Sequence, residues 1–179
     1  HERASPCPLS GLPLGIAPYS PRPGTGASAQ PYSRCDPMKL LALETATEAC
    51  SVAVWVDGQV CERFQVAPRR HTELALPWAE ALLAEAGIAR AQLDAIAVGR
   101  GPGAFTGVRL AIGIAQGIAL ALDRPVLTVS TLAALALRTD APGRRLAAID
   151  ARMGEVYVGF FENGEPLGAI GVYSPQIGR

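Results

Sequence analysis

The chain has 179 residues, 49% of them hydrophobic, with 16 Lys+Arg against 16 Asp+Glu. That length suits one domain or two small lobes, and zero net charge argues against a general nucleic-acid binder, which carries a basic excess. The most apolar run, Leu110 to Leu122, contains Gln116 and is shorter than the roughly 20 residues of a membrane span, so no membrane association is expected.

Residues 1–37 hold eight of the fifteen prolines, with four Gly and five Ser and no apolar period. Such a stretch buries too little surface to offset its ordering entropy. It is read as a disordered extension, and Met38-Lys39 as an ordinary protein start. No secretory signal opens the chain. Cys7, Cys35, Cys50 and Cys61 show no metal spacing, so a cytoplasmic, reducing setting with free thiols is expected.

From Met38 the pattern becomes that of a folded protein. Residues 39–45 and 50–56 read as strands. Asp57-Gly58 is a tight hairpin signal, and 59–66 is the returning strand. A helix is predicted over 72–86, closed by Gly87, with Pro77 inside it. Residues 95–99 form a short strand, a glycine-rich turn follows, and a second helix runs over 106–122. A strand at 125–129 leads to a helix capped by Ser130 or Thr131 and running to about Arg138. Pro142-Gly143 marks a hinge. Residues 145–149, 155–161 and 167–173 complete the strands, with Asn163-Gly164 as a second hairpin turn. The expected division is an N-terminal lobe over 38–139 and a partial second lobe over 145–179, read as truncated.

The two hairpins match each other. Glu44 ends one strand and Gly58 closes the following turn 14 positions later; Asp150 and Gly164 repeat that spacing. This duplication resembles the paired-lobe plan of the actin/Hsp70-like (ASKHA, ribonuclease H-like) fold. The fold class expected is therefore α/β, a mixed sheet with flanking helices.

The loop Gly101-Pro-Gly-Ala-Phe-Thr-Gly107 joins a strand to a helix. Gly101, Gly103, Thr106 and Gly107 form a possible anion-binding loop, because backbone N–H groups at a helix start attract anions. It is not a Walker A sequence. The competing reading is a tight turn whose glycines permit close packing. Both long helices are apolar nearly all round. Gly113 and Gly117, with Ala111, Ala115 and Ala119 beside them, would let another helix approach closely. Such helices should be buried on two sides: one against their own sheet, and the other either against each other or, if left open, against a partner chain. His71 is the only histidine after residue 37, so no metal site and no catalytic set can be assembled. In the first hairpin Cys61 should lie opposite Val54, out of disulfide reach of Cys50.

Met38-Lys-Leu-Leu-Ala-Leu-Glu-Thr-Ala-Thr47, His71-Thr-Glu-Leu-Ala-Leu-Pro77, Gly101-Pro-Gly-Ala-Phe-Thr-Gly-Val-Arg109 and Ile149-Asp-Ala-Arg-Met-Gly-Glu-Val-Tyr157 resemble the bacterial TsaB (YeaZ) family. The resemblance implies a non-catalytic dimerisation subunit of the machinery that makes threonylcarbamoyladenosine (t6A) in tRNA, with no cofactor. The implied partners are the catalytic paralogue TsaD, the ATPase subunit TsaE and, without them, a second copy; tRNA is met only indirectly. TsaD carries a His-x-Glu-x-His metal motif, and here Ala75 stands in place of the second His, one imidazole short of a two-histidine helix face. The family pairs through its first two helices, which implies an interface of Leu74, Trp78, Leu82, Leu83, Arg109, Ile114 and Ile118. A charge at Leu82 or Ile114 is then expected to abolish pairing before it unfolds the chain. The competing reading is an autonomous actin-fold ATPase or metallopeptidase-like enzyme.

Overall fold

The computed structural model describes residues 38–139 and 142–175; the expectations for residues 1–37 lie outside them. Five strands form the first sheet: β1 (Lys39–Glu44), β2 (Ala49–Val56), β3 (Gln59–Val66), β4 (Ala95–Gly99) and β5 (Val126–Val129). Their spatial order is β3-β2-β1-β4-β5. The β1-β2-β3 meander is antiparallel, and β4 and β5 add in parallel through crossover helices. At the first hairpin Asp57 and Gly58 have φ of 53° and 84°, the left-handed pair that a two-residue turn of matching twist needs. That turn fixes the register, and Cys61 faces Val54 as expected.

Alternation along the strands sends Leu41, Leu43, Val52, Val54, Ile96 and Val98 to one face, where all are buried. Two helices cover that face, α1 (His71–Glu85) and α2 (Phe105–Leu122). α1 contributes Ala75, Ala79, Leu82 and Leu83 to this core, and α2 contributes Ala111, Ala115 and Ala119. Each buried Leu, Ile or Val adds about 1.5–3 kcal/mol. Pro77 sits exposed inside α1. α1 ends where Gly87 turns left-handed (φ 67°) and the Ile88 N–H bonds to the Leu83 carbonyl. α2 is long and apolar enough to cross a membrane by length and composition alone. Its alanine stripe instead packs on β4 and β1.

The third helix, α3 (Thr131–Ala136), leads into a second sheet of β6 (Arg144–Arg152), β7 (Glu155–Glu162), β8 (Glu165–Pro166) and β9 (Gly171–Tyr173). Ser130 is the cap, its Oγ accepting the Ala133 N–H. The helix stops at Ala136, two residues before the expected end, and the Arg145 guanidinium donates to the Ala136 carbonyl at 3.0 Å. Leu132 and Ala136 are buried with Ala147 and Phe161 in a second core. By packing, α3 therefore belongs with the second sheet, although the expected boundary after 139 left it with the first. Of the strand expected over 167–173 only Gly171–Tyr173 forms, as β9; β8 lies just before that stretch, and both pair with β7.

The repeat is real, with one difference. Glu44 faces Ser51, seven positions on, whereas Asp150 faces Val156, six positions on. Two residues, Met153 and Gly154, join β6 to β7, against four between β1 and β2, and a bulge lies between Asp150 and Arg152. β7 therefore presents the opposite face from β2 at each sequence-equivalent position.

Candidate functional site

The outward side of the helix layer is the first candidate. α2 buries every fourth residue, Gly107, Ala111, Ala115 and Ala119. At 100° per residue the opposite side carries Arg109, Gly113, Gln116, Gly117 and Leu120. All five are exposed; Leu120 is 86% exposed, and Phe105 at the start of the helix is 71% exposed. A Cβ built on Gly113 or Gly117 would meet open space. The small residues thus divide between two faces: the alanines let the helix sit close on its own sheet, and the two glycines leave a smooth outer strip. The Arg109 guanidinium stacks 3.4 Å over the Phe105 ring and donates to the Phe105 carbonyl.

The residues expected at the interface are placed unequally. Leu74, Trp78, Ile114 and Ile118 are half-buried against the first core. Leu82 and Leu83 are 1% and 5% exposed, so they offer no surface to a partner. A charge at Leu82 would be buried and unpaired, and would unfold the chain. This corrects the expectation for that residue. Leu76, Phe105 and Leu120 are exposed apolar side chains of these two helices that lie outside the expected interface set. Their outward position is invisible in helices with almost no polar face.

The glycine-rich loop is explained by its own neighbours. A Cβ on Gly103 would collide with the Ala46 carbonyl, and one on Gly107 with the Thr45 carbonyl. The Thr45 hydroxyl donates to the Gly107 carbonyl at 2.7 Å, and the Ala104 N–H donates to the Ala46 carbonyl at 2.6 Å. Gly101 is buried with φ 86°. Thr106 lies exposed on the first turn of α2. The close-packing reading accounts for all three glycines.

Two adjoining cavities, about 660 and 550 Å³, border the turn after β1; the starts of α1 and α2 line the first (His71, Thr72, Thr106, Gly107) and the end of β6 the second (Ile149, Asp150, Ala151). Thr47, Glu48, Ala104 and Arg152 line both. The acids of the repeat are engaged beside them. Asp150 Oδ1 accepts the Arg152 N–H, and Oδ2 lies 3.2 Å from the Arg152 guanidinium. That guanidinium is 3.6 Å from Glu48. Glu44 accepts the Ala46 N–H and the Thr131 hydroxyl. Among the described residues no group of three or more His, Cys, Asp or Glu is placed to hold a metal. Ala75 is fully buried against the sheet, so the position one turn after His71 belongs to the core and not to a site. His71 Nε2 is buried without a hydrogen-bond partner. Cys50 is fully buried, and burial pushes its thiol up to about 11.

The family model described as TsaD, tRNA N6-adenosine threonylcarbamoyltransferase, matches residues 65–171. The chain is 50% identical over 131 residues to the tRNA threonylcarbamoyladenosine biosynthesis protein TsaB of Escherichia coli, covering 72% of this chain and 57% of that protein. It is 48% identical to the TsaB of Haemophilus influenzae, covering 67% and 52%. The chain thus spans a little over half the length of these curated relatives. YeaZ from Pseudomonas aeruginosa superposes with a TM-score of 0.73 at 51% identity, over 79% of this chain and 70% of that one. With the mixed sheet, the flanking helices and the duplicated hairpin, these likenesses give one conclusion: the chain belongs to the TsaB (YeaZ) family of t6A biosynthesis proteins and has its actin/Hsp70-like fold.

Proposed function

We propose that this protein is a non-catalytic subunit supporting a TsaD-type paralogue as it transfers threonylcarbamoyl to N6 of adenosine 37 in tRNAs reading codons that begin with A. It works in the cytoplasm, TsaE joins the pair, and without TsaD two copies associate. The observation that carries this reading is the outward strip of α2, where Phe105 and Leu120 stand in solvent beside two glycines with open space above them. Burying one such side chain against a partner is worth about 1.5–3 kcal/mol, and glycines let a second helix approach closely. The core position of Ala75 and the internal engagement of Glu44 and Asp150 weigh against an autonomous metal-dependent peptidase or ATPase.

The test is co-purification with the catalytic paralogue, followed by t6A synthesis with and without this chain. Leu120→Glu should keep the fold, because Leu120 touches water already, yet lose co-purification and t6A synthesis together. Undiminished binding by a folded Leu120→Glu variant would refute the docking face. ATP turnover by the isolated chain would refute the non-catalytic role.

A further inference from the structure

One carboxylate joins parts of the chain 87 residues apart. Glu44, the last residue of β1, accepts the Ala46 N–H on Oε1 at 2.7 Å and the Thr131 hydroxyl on Oε2 at 2.8 Å. Room for it exists because residue 99 is glycine; a Cβ there would collide with the carboxylate. Thr131 is 5% exposed, and its own N–H donates to the Gly101 carbonyl at 3.0 Å. Thr131 opens α3, and the residue after it, Leu132, together with Ala136 at the end of the helix, enters the second core. The turn following Glu44 also holds the start of α2, through Thr45 to Gly107 and Ala104 to Ala46.

From this arrangement we propose that Glu44 is a positioning latch. Its carboxylate fixes the start of α3, and through α3 the second sheet, to the same turn that anchors α2. It acts as a conformational coupling built into the fold. A carboxylate suits the task because it accepts from two separate donors at once, each bond strengthened by its charge. Glutamine would keep a partner for each group, since the Thr131 hydroxyl can accept from its amide, but would lose the charge that strengthens both bonds. Aspartate is one methylene short of spanning Ala46 and Thr131.

Hydrogen exchange read by mass spectrometry on the full chain tests this. Thr131→Val keeps the shape and removes the donor; Thr131→Ser keeps the donor. Thr131→Val should accelerate exchange of residues 131–137 and 144–162 about tenfold to a hundredfold, the range for a lost hydrogen bond to a charged group. Residues 75–83 should be unchanged, and Thr131→Ser should match the parent. The latch is overturned if Thr131→Val exchanges like Thr131→Ser. It is equally overturned if α1 accelerates along with the second sheet, since that reports general loosening. Neither readout depends on a partner, so the result stands apart from the docking test.

Discussion

A glycine in this chain is informative only with its neighbours in view. Gly103 has no room for a methyl group, because the Ala46 carbonyl occupies the place of a Cβ. Gly103→Ala should therefore cost about 1–3 kcal/mol, read as a lower urea midpoint at unchanged slope. The sequence showed that the 101–107 loop needed glycines; it could not show whether an anion or another stretch of backbone required them. The answer lies in a turn almost sixty residues earlier in the chain. Cys50 makes a second residue-scale case. Its thiol is pushed up to about 11 from an ordinary 9.0 by burial alone. The folded state thus holds the proton more tightly than the unfolded state. The stability this gives is complete below pH 9 and is lost as pH rises toward 11. The loss is on the order of 2 kcal/mol. Denaturant titrations at pH 8 and pH 11 should show the parent losing that much more than Cys50→Ala. Equal losses would mean that other groups govern alkaline unfolding.

At the scale of the element, the turns and registers were legible and the helix faces were not. Asp57-Gly58 and Asn163-Gly164 both adopt the left-handed pair their sequence demands, and Cys61 falls opposite Val54 as counting from the turn requires. Helices that are apolar all round give no comparable ruler. In α2 the buried stripe is alanine and the exposed one includes Leu120, the reverse of what side-chain size alone suggests. α1 is mixed: it buries Ala75 and Ala79 but also Leu82 and Leu83, and leaves Leu76 47% exposed. A helix on a sheet must come close, and small residues permit that; the larger side chains are left to flank the contact. This division makes an opposed pair of effects at one site. Gly117→Ala meets nothing within 4 Å and removes a helix-interior glycine, so thermal melting should show a gain of about 0.5–1 kcal/mol. If a partner helix crosses over that glycine, the same variant should weaken co-purification. A more stable chain with unaltered pairing would move the crossing point away from Gly117.

At the scale of the molecule, among the described residues, fifteen buried apolar residues make the first core and four make the second. The equal spacing of the two hairpins was legible as duplication, yet it concealed a compensated slip. A shorter turn and a longer strand leave the count unchanged while β7 reverses its faces. As a result Phe161, on β7, packs under α3 together with Ala147 of β6. So small a core depends heavily on its largest member. Phe161→Ala should remove about 3–5 kcal/mol, more than four buried side chains hold in reserve, so the second sheet should open locally while the first stays folded. The tryptophans make this readable: Trp55 lies on β2 and Trp78 on α1, and there are no others. In Phe161→Ala, tryptophan emission should keep its native position and its denaturation midpoint while amides of 144–162 lose their protection. The two signals collapsing together would show instead that the Glu44 and Glu48 contacts bind both sheets into a single cooperative unit, and that the smaller core borrows its stability from the larger.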